Sequence, residues 1–487
     1  MTIFQLSHPP QLEDVLALLR HEGVAAWLVG GYVRDALLNR PSHDADIVVA
    51  AEGLAWARRL ADAFGGAFVP LDEENDVGRV VLRQPTGLFY VDVSGMRGGS
   101  IEADLTARDF TINALAVAVA DGALVDVTGG YADLNRRVVR MVAPRTFEED
   151  PLRLMRGVRM VATLGFVLDD ATIQTMRAHA WRLPSVSAER VRDELLKIIA
   201  APRAAMHVAL LEQLGLLEHV LPEVAACRDV QQGPPHTLDV YGHMLAVLDA
   251  LEGLWPWGAR RDVWRRPWGR YRRPLDTYLH RAVAHEQPVW LLLKLTALLH
   301  DIGKPLTRTV GDDGRVHYYE HERVGSELAQ ARLQALRFPQ KSVEWVGTVI
   351  RHHLRPLFLT RHPRVSRRAL YRLFRDAGET TPAVALHSVA DQLGKGGATI
   401  TPALRRVVAT IWRTAFTPDE AILNPRPPLT GHDLMALGIA PGPVMGRIIE
   451  RLKEGVATGR VRTREDAERL ALQLWLNWRP TPESDAE

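Results

Sequence analysis

Leu28 to Val49 reads LVGGYVRDALLNRPSHDADIVV, and it places a pair of carboxylates just beyond a glycine loop. Ile47-Val48-Val49 is a β-branched run, so Asp44 and Asp46 are expected to enter or lie on a strand, where side chains i and i+2 share a face. Two carboxylates held that way repel, and one would take a proton unless an oxygen-liganded cation such as Mg²⁺ sits between them. Upstream, Leu28-Val29 reads as a strand end. Gly30-Gly31 lets backbone approach a ligand, and Arg34 and Asp35 fall on the first turns of a helix. A D-x-D or a Gly-Gly turn alone is common by chance. In this order and at this spacing they suit a triphosphate, and phosphoryl or nucleotidyl transfer is the first expectation.

Working outward, residues 1 to about 135 alternate short β-branched runs (Val80 to Leu82, Tyr90 to Val93, Ala123 to Val127) with helical patterns such as Leu54 to Ala63. This predicts a small α/β domain. From about 136 onward the periodicity is helical almost throughout, and Asp150-Pro151 is expected as an N-cap and first-turn pair. Arg136, Arg137, Arg140 and Arg145 precede a helix whose Arg153, Arg156 and Arg159 lie along one side.

The chain has 487 residues with 47% hydrophobic content, enough for several cores. Sixty Lys and Arg against 58 Asp and Glu leave any nucleic-acid signal to local patches. The start MTIFQLSHPPQLEDV has no cationic leader before an apolar core, and Lys294 interrupts the best apolar run short of the roughly 18 residues of a membrane span. A soluble, cytoplasmic protein without a membrane partner is expected. The single cysteine, Cys227, excludes an internal disulfide or a cysteine-based zinc cluster and is read as a small buried apolar residue.

The G-G-x-x-R-D-x-x-L run followed by D-x-D resembles the head domain of the class II nucleotidyltransferases, the tRNA nucleotidyltransferase and bacterial poly(A) polymerase family. Ile101 to Ala116 (IEADLTARDFTINALA) resembles the second family motif, Glu149 to Arg153 the E-D-x-x-R motif, and Ser187 to Leu195 the helix that follows. Ala107 stands where the family commonly has Arg, so only Arg108 and Asp109 carry over. The resemblance implies that Asp44 and Asp46, with Asp92 as third carboxylate, hold Mg²⁺ and are catalytic; Asp104 and Asp109 stand close by in sequence. It further implies nucleotide contacts from Gly30, Gly31, Arg34, Arg108, Asp109, Asn113 and Arg156, with Asp150 and Arg153 reading the base. The partners implied are tRNA, CTP and ATP. Helix capping is the competing account of Asp150.

Farther along, LTALLHDIGKP ends an apolar helix in His300-Asp301 before Gly303 and Pro305. With His243, His321, His352 (or His353) and Asp391, the order resembles the HD superfamily of metal-dependent phosphohydrolases. This implies His243, His300, Asp301 and Asp391 as ligands of a divalent transition metal or Mg²⁺, His321 and His352 widening the site, and Lys304 on phosphate. His387 is read as a support to the ligands or as exposed.

The expected organisation is an α/β nucleotidyltransferase head with a mixed sheet (1–135), a helical nucleotide- and RNA-binding neck (136–228), an all-α HD domain (229–400) and a helical tRNA-binding tail (401–487). The function implied is addition of CCA to the tRNA 3′ end. Only nine residues, VSGMRGGSI, separate Asp92 from Glu102, the short form of members that add the two cytidines alone. The alternatives are a poly(A) polymerase, a nucleotide-binding HD phosphohydrolase without polymerase activity, or an RNA-binding protein with both sites inactive. Trp255 to Arg273, with four Trp among seven Arg, is expected to pack as an insertion rather than stack on bases. Leu429 to Ile448 reads as a helix–turn–helix around Gly438 and Pro441-Gly442-Pro443.

Overall fold

The computed structural model describes residues 8–478 apart from 85–86, 234–235, 256–260, 265–267, 397–398 and 418. Two compact units form: residues 1–201 with 209–220, and residues 202–208 with 221–487.

The first unit is built on a seven-stranded sheet of β1 (Ala26–Val29), β2 (Asp44–Val49), β3 (Ala67–Asp72), β4 (Val77–Gln84), β5 (Gly87–Gly95), β6 (Ala116–Ala118) and β7 (Leu124–Val125). Their order is β3-β4-β5-β2-β1-β6-β7, with β2 and β5 parallel and the other pairs antiparallel. The mixed sheet expected of the head is present. Ala45, Ile47 and Val49 are buried on one face, so burial fixes the register of β2 and leaves Asp44 and Asp46 on the opposite face, ahead of the buried Val48. Chain reversal from β1 into the helix Gly30–Leu37 happens at Gly30, whose φ of +69° is open to glycine and strained for other residues. A Cβ there would also sit 2.9 Å from Nη1 of Arg108 and 3.2 Å from Oδ2 of Asp46, so a side chain would displace the Arg108 guanidinium from the turn.

Helices Arg153–Leu164, Asp170–His179 and Ala188–Ala200 follow the sheet, the first pinned to the third by an Arg159 to Glu194 ion pair of 2.6 Å. One expectation is corrected here. Asp150-Pro151 does not open a helix as cap and first turn; the helix begins at Arg153 with Leu152 at its N-cap. Asp150 instead ends the short helix Thr146–Glu149 and accepts the backbone N–H of Leu152 at 3.1 Å, a local turn that delays the next helix by two residues.

The second unit is helical. Helix Val289–Leu299 is buried along nearly its whole length, and Lys294 within it is paired with Glu252 at 2.7 Å. Trp264 and Trp268 are buried around Trp412, Trp264 stacking on it at 5.9 Å between centroids, and Trp255 stacks on Trp290. These rings are core, as expected of the insertion; Trp257 lies outside the described residues. Cys227 is buried and its thiol is pushed up by burial, so it is inert packing. Near the C-terminus, helices Gly431–Ala436, Pro443–Thr458 and Arg464–Trp478 close a separate apolar cluster around Leu434, Ile448 and Leu452. Among the described residues no helix is long and apolar enough to cross a membrane.

Candidate functional site

Strand register brings the head carboxylates together. Asp46 on β2 stands directly opposite Asp92 on β5, and Asp44 lies two residues back on the same face of β2. They line one cleft of about 570 Å³ with Gly30, Gly31, Arg97 and Arg108. Burial pushes the Asp46 carboxyl up to about 6; Arg108 opposes the rise, and the like charges of Asp92 and Asp44 add to it. Three carboxylates gathered on one sheet face, the most buried of them raised first by burial, form a donor set that fits hard divalent cations.

A pH dependence follows. A carboxyl whose folded pKa lies above its ordinary 3.8 holds its proton more tightly folded than unfolded. Its contribution to stability is therefore full below 3.8 and is lost as pH rises through about 6. With chelator present, the thermal midpoint of the native chain relative to Asp46→Asn is expected to fall across that window, and Mg²⁺ is expected to reverse the fall. A pH-independent difference between the two proteins would contradict the placement.

Behind the carboxylates runs a buried polar chain. Arg34 Nη1 donates to Oδ1 of Asn113 at 2.6 Å, while its Nε and Nη2 hold Asp35. Asn113 donates to Asp109 at 3.0 Å, and Asp109 also accepts from the Phe110 N–H and from Arg156 at 2.8 Å. Burial alone would raise Asp109, but Arg156 and these donors hold it below its ordinary range. Both Asp109 oxygens are thus engaged, and Arg34, Asn113, Asp109 and Arg156 brace one another as a wall of the cleft. Arg108 pairs with Asp104 at 2.9 Å, an i, i+4 bridge that aims its guanidinium at the Gly30 turn.

Asp150 and Arg153 reach the same cleft. One Asp150 oxygen is taken by the Leu152 N–H and the other by Arg190 at 2.8 Å. Arg153 donates to the carbonyl of Ala107 at 3.0 Å and to Glu149. Each is oriented by neighbours far away in sequence, so the pair presents a fixed edge.

The second centre lies wholly in the helical unit. His243 Nε2 is 3.0 Å from Asp391, His300 Nε2 is 3.1 Å from Asp301, and His321 Nε2 is 3.4 Å from Asp301. Nδ1 of His243, His300, His321 and His353 faces the backbone carbonyls of Gly394, Ala297, Tyr318 and Ile350 at 2.6 to 3.3 Å. Such bonds favour the proton on Nδ1 and turn each Nε2 inward, where that of His243 meets Asp391 in a hydrogen bond. The Nε2 atoms of His300 and His321 are buried without a hydrogen bond. Two triads, His243-His300-Asp391 and His300-Asp301-His353, each bring ligand atoms within 4.8 Å of one another. Burial, then the neighbouring His300 and His321, lowers His353 to about 3, so it is neutral and ligand-ready. The residues fit a divalent cation.

His352 is corrected to His353. His353 is 1% exposed and touches His300 and His321, whereas His352 sits half-buried towards Arg355 and Asp376. One residue along a helix is about 100° of rotation, and only packing decides which of two adjacent imidazoles faces inward. His387 is fully buried against His300 and His353, not exposed, with both ring nitrogens lacking a hydrogen bond. Lys304 donates to Asp301 and Gln232, each at 2.6 Å. Burial works against the Asp301 carboxyl, but His300 and Lys304 hold it well below the carboxylate range.

Sequence reasoning missed Arg79, which grips Asp92, Arg190 on Asp150, and Gln232 and His236 beside the second centre. The i, i+4 spacing of Asp104 and Arg108 was a readable signal. Arg79 was readable only from the β4–β5 register.

Comparison with known proteins bears on both centres. Residues 26–140 match the family described as Poly A polymerase head domain, 165–228 the probable RNA- and SrmB-binding site of polymerase A, and 279–395 the HD domain. The chain is 34% identical to a CC-adding tRNA nucleotidyltransferase of Thermus thermophilus over 92% of its length and 93% of the relative's. It is 35% identical to an A-adding tRNA nucleotidyltransferase of Deinococcus radiodurans, over 93% and 96%. Its fold is similar to that of a CCA-adding enzyme with CTP (TM-score 0.64, 19% identity, 97% and 99% covered). A Thermotoga maritima CCA-adding enzyme complexed with tRNA is similar in the same way (TM-score 0.60, 20% identity, 97% and 99% covered).

Proposed function

We propose, from the premise that this chain belongs to the tRNA nucleotidyltransferase family, that it extends the 3′ end of tRNA with nucleotides from CTP, ending after two cytidines, and that its HD domain hydrolyses phosphoesters. Members of this family are enzymes. The observation that carries the first activity is the row of Asp44, Asp46 and Asp92 beside the glycine turn. These three would hold Mg²⁺, which when bound activates the RNA 3′-hydroxyl and neutralises the leaving pyrophosphate. The Gly30-Gly31 backbone admits the triphosphate close to the end of β1, and Arg108 lies against that turn to contact phosphate. Arg34, Asn113, Asp109 and Arg156 keep the wall rigid, and Asp150 with Arg153 offers an acceptor and donors to a base edge. The division into head, neck, HD domain and tail at 135, 228 and 400 accompanies this reading.

Product length is read from the connection after β5. A single 3₁₀ turn, Arg97–Gly99, leads to helix Ile101–Thr106, whose N-cap Ser100 accepts the N–H of Ala103 at 3.2 Å. The connection is short and runs from strand through one turn into a capped helix, which supports the two-cytidine form. Given tRNA ending before its C-C-A, with both CTP and ATP, the products are expected to stop two residues longer on a sequencing gel. A third residue, dependent on ATP, would refute this. Terminal A addition is the second reading, favoured by the equal similarity to the A-adding relative; tRNA already ending in C-C, extended with ATP, tests it.

If Arg153 reads the base, Arg153→Ala is expected to slow the reaction about tenfold or more and to narrow the preference for CTP over UTP, because a lost donor leaves the wrong base less disfavoured. Equal loss for every nucleotide would assign Arg153 to its Ala107 contact alone.

The HD centre would hold a divalent transition metal or Mg²⁺ through His243, His300, Asp301 and Asp391, with His321 and His353 at its edge. Such a cation supplies a nucleophilic water. Lys304, fixed by Gln232, stands where it can meet a phosphate oxygen once the substrate competes for it.

A further inference from the structure

Asp92 has a partner that the reaction as described does not use. Arg79 stands directly opposite Asp92 in the β4–β5 hairpin, and Asp92 stands directly opposite Asp46 in the β5–β2 pair. Directly paired residues share a sheet face, so Arg79, Asp92 and Asp46 form a row across three strands. The Arg79 Nε and Nη2 donate to the two oxygens of Asp92 at 2.7 and 2.8 Å, a fork-to-fork pair. The guanidinium also lies over the ring of Tyr90, 5.2 Å from its centroid, which limits how far it can swing. The other two carboxylates are differently placed. Asp44 accepts from the Ser42 hydroxyl at 2.7 Å, and the Asp46 carboxylate accepts no hydrogen bond among the described residues.

We propose that Arg79 is a positioning residue that occupies Asp92 in the metal-free head and thereby sets how tightly the centre takes its divalent cation. This rests on the reading of Asp44, Asp46 and Asp92 as the cation-holding set. A hard cation needs a carboxylate oxygen, and both oxygens of Asp92 are engaged. The cation must therefore take a lone pair on the far side of the fork or displace one of its two bonds, while the remaining contact fixes the plane of the carboxylate. Arg79 weakens cation uptake and, by the same contact, orients the ligand. Its charge also offsets the three carboxylates that would otherwise repel across the sheet.

Mn²⁺ is the probe, its binding to the full chain followed by electron paramagnetic resonance. The head contribution is the part lost in Asp46→Asn, which separates it from the HD centre. Arg79→Met is expected to tighten that part about tenfold, the size of freeing Asp92 from one charge-assisted hydrogen bond. Nucleotide incorporation is expected to slow in the same variant. In an Asp92→Asn background the tightening should vanish, whereas Arg79→Lys should keep near-native affinity. Arg79→Gln, which still donates across the hairpin, should shift affinity in the same direction as Met and serves if the Met variant does not fold. Unchanged or weaker Mn²⁺ affinity in the neutral variants, or the same shift without Asp92, overturns the proposal. If native chain and Asp46→Asn bind Mn²⁺ equally, the cation reading of the head fails, and this inference falls with it.

Discussion

Nucleotide incorporation into tRNA is expected to fall at least about a thousandfold in the Asp44→Ala/Asp46→Ala double variant, while its thermal midpoint stays within a few degrees of the native chain. The loss is large because both carboxylates serve one charge centre, and several kcal/mol of transition-state stabilisation leave with it. The fold should survive because Asp44 is exposed and the Asp46 carboxylate carries no hydrogen bond among the described residues. Removing it relieves repulsion against Asp92 rather than orphaning a partner, apart from Arg108, which keeps Asp104. Steady-state incorporation of labelled CMP, with melting curves of both proteins, checks this. Near-native incorporation by the double variant would remove these carboxylates from the reaction.

The second large effect belongs to the HD centre. Asp301→Asn is expected to reduce metal-dependent release of phosphate, or opening of a 2′,3′-cyclic phosphate, at least about a hundredfold, and to leave CMP incorporation within about twofold. Asp301 faces His243, His300 and His321 within 3.1 to 3.6 Å and is the carboxylate of the His300-Asp301-His353 triad. Asn is preferable to Ala because Lys304, 7% exposed, would otherwise face an empty site, and breaking a buried pair costs about 3–5 kcal/mol. Hydrolysis unchanged by the variant and by chelation would show the domain to be structural only.

What the sequence disclosed depended on how local the controlling physics was. The D-x-D strand was legible because a β-branched run and a period of two are properties of six consecutive residues, and β2 spans Asp44–Val49. The His300-Asp301 helix end was legible for the same reason. Asp150 was misread as a helix cap because its partners, the Leu152 N–H and Arg190, compete on equal chemical terms, and the second lies forty residues away. The choice of His353 over His352 turns on helix rotation against a neighbouring element, which no residue type encodes. Arg79 opposite Asp92 is a matter of the register between β4 and β5, thirteen residues apart in sequence. The Trp-rich stretch reads as packing although its Arg and Trp interleaving also suits base stacking, and Trp264 and Trp268 are buried around Trp412.

The central claim is that the head centre transfers nucleotides to a tRNA end. The most direct measurement supplies labelled CTP alone to the full chain with tRNA lacking its 3′ C-C-A and Mg²⁺, and counts CMP per tRNA at the plateau. A plateau at two is expected with the native chain and no incorporation with the double carboxylate variant. No incorporation by the native chain, or equal incorporation by both, would contradict it.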